Sequence, residues 1–186
     1  MKGICVIESL AGGDLIIPGN MSKTVSAAII IDCILIILTL SFIFGNSLKN
    51  VEKSSNDSEK ITEIVEKLPP VQTAIEKEII NKNDLEGIIR SMAHIFEFTL
   101  LGAELMLLLL LVGLKPLYLS AFLPLFLCLV LALADESLQM LSDRSAEVID
   151  IIKDFSGSAL GGLSVLGIYG IICKTEKKSK KTQTDS

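Results

Sequence analysis

The sequence predicts an all-α integral membrane protein, a four-helix bundle with a small helical extracytoplasmic insertion between spans one and two. Three observations carry this. Half of the 186 residues are apolar and the mean hydropathy is clearly positive, which is too apolar for an ordinary soluble domain. Four runs approach the ~20 apolar residues that cross a bilayer core: Val25 to Phe44, His94 to Val112, Leu117 to Ala134 and Phe155 to Ile172. Lipid-exposed backbone must satisfy its own hydrogen bonds, so these runs are expected as α-helices. The chain divides into a cytoplasmic lead-in over residues 1–24, a four-span domain over 25–172 with its insertion at 46–89, and a basic cytoplasmic tail over 173–186.

In the lead-in, Gly12, Gly13, Pro18, Gly19 and Asn20 break regular structure. The first span reads as a signal anchor, because Gly45, Asn46 and Ser47 follow it without a small-x-small cleavage pattern. In the insertion, Ile61, Ile64, Val65 and Leu68 recur at helical spacing until Pro69 and Pro70 end that helix. A second amphipathic stretch carries Val71, Ala74, Ile75, Ile79 and Ile80, and the pair Asn83 and Glu86 places a new helix start near Asp84. These pieces either lie on the outer leaflet or pack over the mouth of the bundle. The short link Gly113-Leu114-Lys115-Pro116 forces a hairpin between spans two and three. A polar link, Asp135 to Asp154, joins spans three and four, turns at Ser142-Asp143-Arg144-Ser145 and reads as a helix entering span four from Ala146 onward.

The lysine-rich run after Cys173 is a signal to stay inside. Four spans then place both termini in the cytoplasm, and Lys2, Lys23 and Lys115 agree. Cys5, Cys33, Cys128 and Cys173 are far apart and form no CxxC pair, so they read as small apolar helix residues.

Polar residues gather at the outer helix ends. Arg90, His94, Glu97, Leu101 and Glu104 share one helix face, as do Asp150, Asp154, Gly157 and Gly161. Asp135, Glu136 and Gln139 close the third span. In a compact bundle these ends converge on one pocket, and ionisable groups at a membrane boundary mark a functional site. His94 with the carboxylates suits metal ligation or acid–base chemistry, with a structural hydrogen-bond network as the plain alternative. Arg90, Arg144 and Lys153 are the expected anion contacts. Gly157 and Gly161 form a GxxxG motif for close helix packing, within the chain first and in a homodimer as the alternative. Asp32 and Glu104 lie within spans at similar expected depth. Each costs roughly 2.5–3.5 kcal/mol if charged at mid-bilayer, so a proton path and a structural hydrogen bond both remain open. No HExxH, GxSxG, Walker or EF-hand pattern is present.

Two elements resemble the VanZ-like family of bacterial membrane proteins. The first runs Arg90-x3-His94-x2-Glu97-Phe98 with Gly102 following. The second is Asp135-Glu136-x2-Gln139, then Arg144, then Asp150-x3-Asp154-x2-Gly157-x3-Gly161. The resemblance covers most of residues 25–172. The chain departs from it at Ser91, where Lys is frequent, at Phe98, where Tyr is frequent, and at Asp143, where Gly often precedes the Arg. The family's founding member is linked to low-level teicoplanin resistance. The resemblance implies a bacterial cytoplasmic membrane, in a Gram-positive cell.

The expected role is non-enzymatic: binding of a lipid or cell-wall-precursor head group at the outer leaflet. The ligand set is Arg90, His94, Glu97, Asp135, Glu136, Gln139, Arg144, Asp150 and Asp154, with Asp150 and Asp154 bracing the arginines. No cofactor, no resident metal and no nucleic-acid partner are expected. One alternative is a membrane enzyme acting on a lipid-linked substrate, with catalytic candidates His94, Glu97 and Glu136. Another is a small transporter or flippase using Asp32 and Glu104.

Overall fold

The computed structural model describes residues 23–49, 51–77, 79–113, 117–142 and 147–184. The lead-in up to residue 22, most of the hairpin link and the turn around Arg144 lie outside the described residues. Six helices follow in order: α1 (Lys23–Ser47), α2 (Val51–Glu66), α3 (Pro69–Glu76), α4 (Lys82–Val112), α5 (Leu117–Leu141) and α6 (Val148–Thr184). Four of them, α1, α4, α5 and α6, are long and apolar enough to cross a membrane. The chain is an all-helical, multi-pass membrane protein.

The helix ends follow local chemistry. Asn81 rather than Asn83 caps α4, accepting from the Asp84 backbone N–H at 2.8 Å, so the helix starts slightly earlier than the sequence indicated. At its other end Gly113 adopts φ 72°, a left-handed position that favours glycine. Pro69 and Pro70 occupy the first turn of α3, where a missing N–H costs nothing. They therefore both close α2 and open the next helix. Most of the polar stretch from Asp135 to Asp154 is helical, as its spacing indicated. α5 continues through Gln139 to Leu141, and α6 begins at Val148, close to the helix start read at Ala146.

α4 is the centre of the bundle. Both α4 and α5 touch α1 and α6, and the most extensive contact is between α4 and α6. That seam is built on glycine. A Cβ on Gly157 would strike the Ile95 carbonyl oxygen, one on Gly161 the Thr99 carbonyl oxygen, and one on Gly102 the Ser158 backbone. Their face of α6 is taken by α4, so any homodimer would use another surface. Ile36, Ile43, Phe98, Leu101, Leu105, Cys128 and Ala132 form the apolar core between α1, α4 and α5. Large apolar residues such as Ile34, Phe122, Phe126 and Leu163 point outward, as lipid-facing positions do.

The insertion packs on the part of α4 that projects beyond the bundle. Leu85 is buried there, Ser55 donates to Glu86 at 3.2 Å, and Lys49 pairs with Asp57 at 2.8 Å. Thr62 of α2 is buried while Ile61, Ile64 and Leu68 stay exposed. Of the two arrangements left open by the sequence, α2 takes packing against α4, with an apolar stripe left uncovered by protein.

Candidate functional site

The polar residues at the α2–α3 end of the bundle fall into a buried cluster and an open cleft. In the cluster, His94 of α4, Asp135 of α5 and Asp154 of α6 each offer one donor atom, and these atoms lie within 4.8 Å of one another. Asp135 and Asp154 are fully buried. His94 Nδ1 stands 3.5 Å from Asp154 Oδ1, which is long for a hydrogen bond. Neither oxygen of Asp154 accepts a hydrogen bond among the described residues, and His94 Nδ1 makes none.

Asp135 is held on both sides. Gln139, one turn along α5, donates to its Oδ2 at 2.9 Å. The Ser47 hydroxyl at the end of α1 contacts its Oδ1 and also lies 3.0 Å from the Ile43 carbonyl. Next to Ser47, the Asn46 amide donates to Glu97 Oε1 at 3.0 Å. Thus α1 contributes two residues that sequence reasoning missed. Their signal was present, as two adjacent polar residues ending an apolar run, but it was read only as the flank of an anchor.

Glu136 has a different task. Its Oε1 accepts from Gln139 at 3.1 Å and its Oε2 from the Glu147 backbone N–H at 3.0 Å. Both oxygens are engaged, and the carboxylate ties the end of α5 to the start of α6. Glu136→Ala removes this clamp and leaves the Glu147 backbone N–H without its acceptor, while Gln139 keeps its bond to Asp135. The expected loss is about 1–3 kcal/mol, readable as a lowered unfolding temperature in detergent.

The cleft runs between the first turns of α4 and α6 and encloses about 600 Å³. Asp84, Gly87, Ile88, Arg90, Ser91, Met92, His94, Glu147, Asp150 and Lys153 line it. His94 therefore belongs to both regions and forms the point where the cleft meets the cluster. Arg90 pairs with Glu86 at 3.4 Å and Lys153 with Asp150 at 2.6 Å. The expected bracing of the arginines by Asp150 and Asp154 is corrected for Arg90: Asp150 holds Lys153, and Asp154 faces His94. Arg144 lies outside the described residues.

Asp32 and Glu104 sit apart from this site. Asn46 meets Glu97 and Thr39 meets Glu104 at 3.0 Å, so seven residues on α1 match seven on α4 in antiparallel register. Asp32 is seven residues beyond Thr39, about 10 Å further along the axis. The two carboxylates are therefore offset along the seam, because register between helices is set by packing, yet they remain close enough for their charges to interact. Both side chains are buried, and Thr39 occupies one Glu104 oxygen. Thr39→Val removes that donor and is expected to lower stability by about 1–3 kcal/mol, measured by thermal unfolding in detergent.

A protein-family model described as VanZ/LLP1 matches residues 33–171. The chain belongs to this family. The VanZ/LLP1 match reaches from α1 to α6 and takes in all four candidate spans in whole or in large part, the insertion, the buried cluster and the cleft. Of the residues singled out in the sequence, Asp32 falls just before it. No curated protein and no solved structure matches the chain.

Proposed function

We propose that this VanZ/LLP1 protein binds the head group of a membrane lipid or lipid-linked cell-wall precursor in the α4–α6 cleft, on the outer face of a bacterial cytoplasmic membrane. The observation that carries the reading is the cleft itself. It opens beside membrane-spanning helices, brings Arg90 and Lys153 to one space, and ends at His94. Arginine and lysine at a membrane boundary suit a phosphate. Asp84, Glu147 and Asp150 line the same space, so the charge pattern fits a head group carrying both a phosphate and an amine better than a bare anion. Sequestering such a precursor at the outer leaflet would alter how a glycopeptide reaches its target, and so lower teicoplanin susceptibility.

A short-chain phospholipid with an ethanolamine head group tests the binding step. It is expected to raise the unfolding temperature of the purified protein, and to do so much less for Arg90→Ala/Lys153→Ala. Equal stabilisation of both proteins would reject the cleft as the site.

A second reading is a membrane enzyme, favoured by the position of His94 beside Asp154 where cleft and cluster meet. His94→Asn separates the two. Binding retained without turnover of a lipid-linked substrate supports the enzyme, and turnover retained in the variant excludes His94 as its acid or base.

A further inference from the structure

We infer that His94, Asp135 and Asp154 bind one divalent first-row transition-metal ion, of the zinc or manganese kind. The inference stands on the buried cluster and does not depend on what occupies the cleft.

The geometry suits an ion better than a closed hydrogen-bond network. The three donor atoms come from three helices and lie within 4.8 Å of one another. The 3.5 Å from His94 Nδ1 to Asp154 Oδ1 is a poor hydrogen bond. It is close to the ~3.4 Å that separates two donors on one tetrahedral ion with bonds of about 2.1 Å. The third donor lies within 4.8 Å of the other two, so binding draws the set together around the ion.

The second observation is the orphaned carboxylate. Asp154 is fully buried, yet neither oxygen accepts a hydrogen bond among the described residues, and the one group facing it is His94 Nδ1 at 3.5 Å, which makes no hydrogen bond either. A buried carboxylate that accepts no hydrogen bond is disfavoured. A cation between Asp154, Asp135 and His94 gives Asp154 and His94 the close contacts they lack. Two carboxylates balance a divalent charge, so the loaded site is neutral in a low-dielectric setting.

The donor set narrows the ion. An imidazole nitrogen with two carboxylate oxygens favours a first-row transition metal over magnesium or calcium, which prefer all-oxygen sites. Asp135 is already oriented by Gln139 and Ser47, the kind of outer support that ligating carboxylates carry. Because His94 also lines the cleft, three protein donors leave the remaining coordination positions available to a ligand entering from that side.

The test uses the full chain in detergent, stripped with a chelator and then given zinc or manganese alone. Bound metal per protein is read by mass spectrometry of the desalted sample, and cobalt substitution reports the ligand field. Wild type is expected to retain one equivalent and to give visible cobalt bands of a mixed nitrogen–oxygen site. Asp154→Asn is expected to lose the equivalent. Gln139→Leu should weaken binding about 10–100-fold, while Glu63→Gln on α2, outside both cluster and cleft, should keep it. Wild type that retains no metal overturns the site, as does Asp154→Asn retaining a full equivalent. Should Asp154→Asn elute as aggregate, wild-type stoichiometry and the cobalt spectrum decide alone: an all-oxygen spectrum or none at all rejects the site.

Discussion

Gly161→Val is expected to disrupt the seam between α4 and α6 and to deplete folded protein. A Cβ at this position would overlap the Thr99 carbonyl oxygen and come within 3.0 Å of the Ala103 backbone nitrogen. Those are backbone atoms of the central helix, which cannot swing aside as a side chain can. Overpacking of this kind costs about 1–3 kcal/mol, and more where nothing yields; valine adds two methyls to the clash. Gly170 on the same helix provides the control, since a Cβ there meets nothing within 4 Å. Gly170→Val should unfold close to wild type in detergent, and Gly161→Val many degrees lower or not recoverable as a monodisperse peak. Equal unfolding temperatures would mean that α6 does not lie on α4 through this glycine face.

Asp154→Asn should act in the opposite direction on the metal-free protein. Most substitutions of a buried polar residue destabilise by stranding a partner, but this carboxylate accepts no hydrogen bond, and the His94 it faces is shared with Asp135 and Glu97. Exchanging one of three crowded carboxylates for a neutral group of the same shape is expected to stabilise the chelator-treated protein by about 1 kcal/mol or more. The same change should abolish the stabilisation that zinc gives wild type. A side chain that weakens the fold in which it sits is kept for what it binds. If instead Asp154→Asn unfolds earlier than metal-free wild type, Asp154 is a structural lock and its role is the network alone.

The spans were legible because their apolar runs approach the bilayer's thickness and nothing else in the chain does. The polar faces of α4 and α6 were legible too, since helical spacing alone puts His94 with Glu97 and Asp154 with Gly157. Other features depend on how helices meet. Asn46 and Ser47 look like ordinary flanking residues until α1 ends beside Asp135 and Glu97. Glu136 looked like a ligand until the start of α6 came within reach of its second oxygen. The division of Arg90 and Asp150 into a cleft, apart from the buried His94–Asp135–Asp154 cluster, follows from the projection of α4 beyond the bundle. Likewise, the register of α1 against α4 is a packing result, and it displaced Asp32 from Glu104.

The central claim is that the polar end of this VanZ/LLP1 bundle holds a ligand, and native mass spectrometry of lipid and cell-wall-precursor binding tests it most directly. The purified protein is compared with its Arg90→Ala/Lys153→Ala variant across lipids that differ only in head group. The account predicts a head-group-selective adduct on wild type that the variant loses, with both proteins equally folded. Equal, unselective binding by the two would contradict it and leave the buried cluster to be decided by its own metal-binding test.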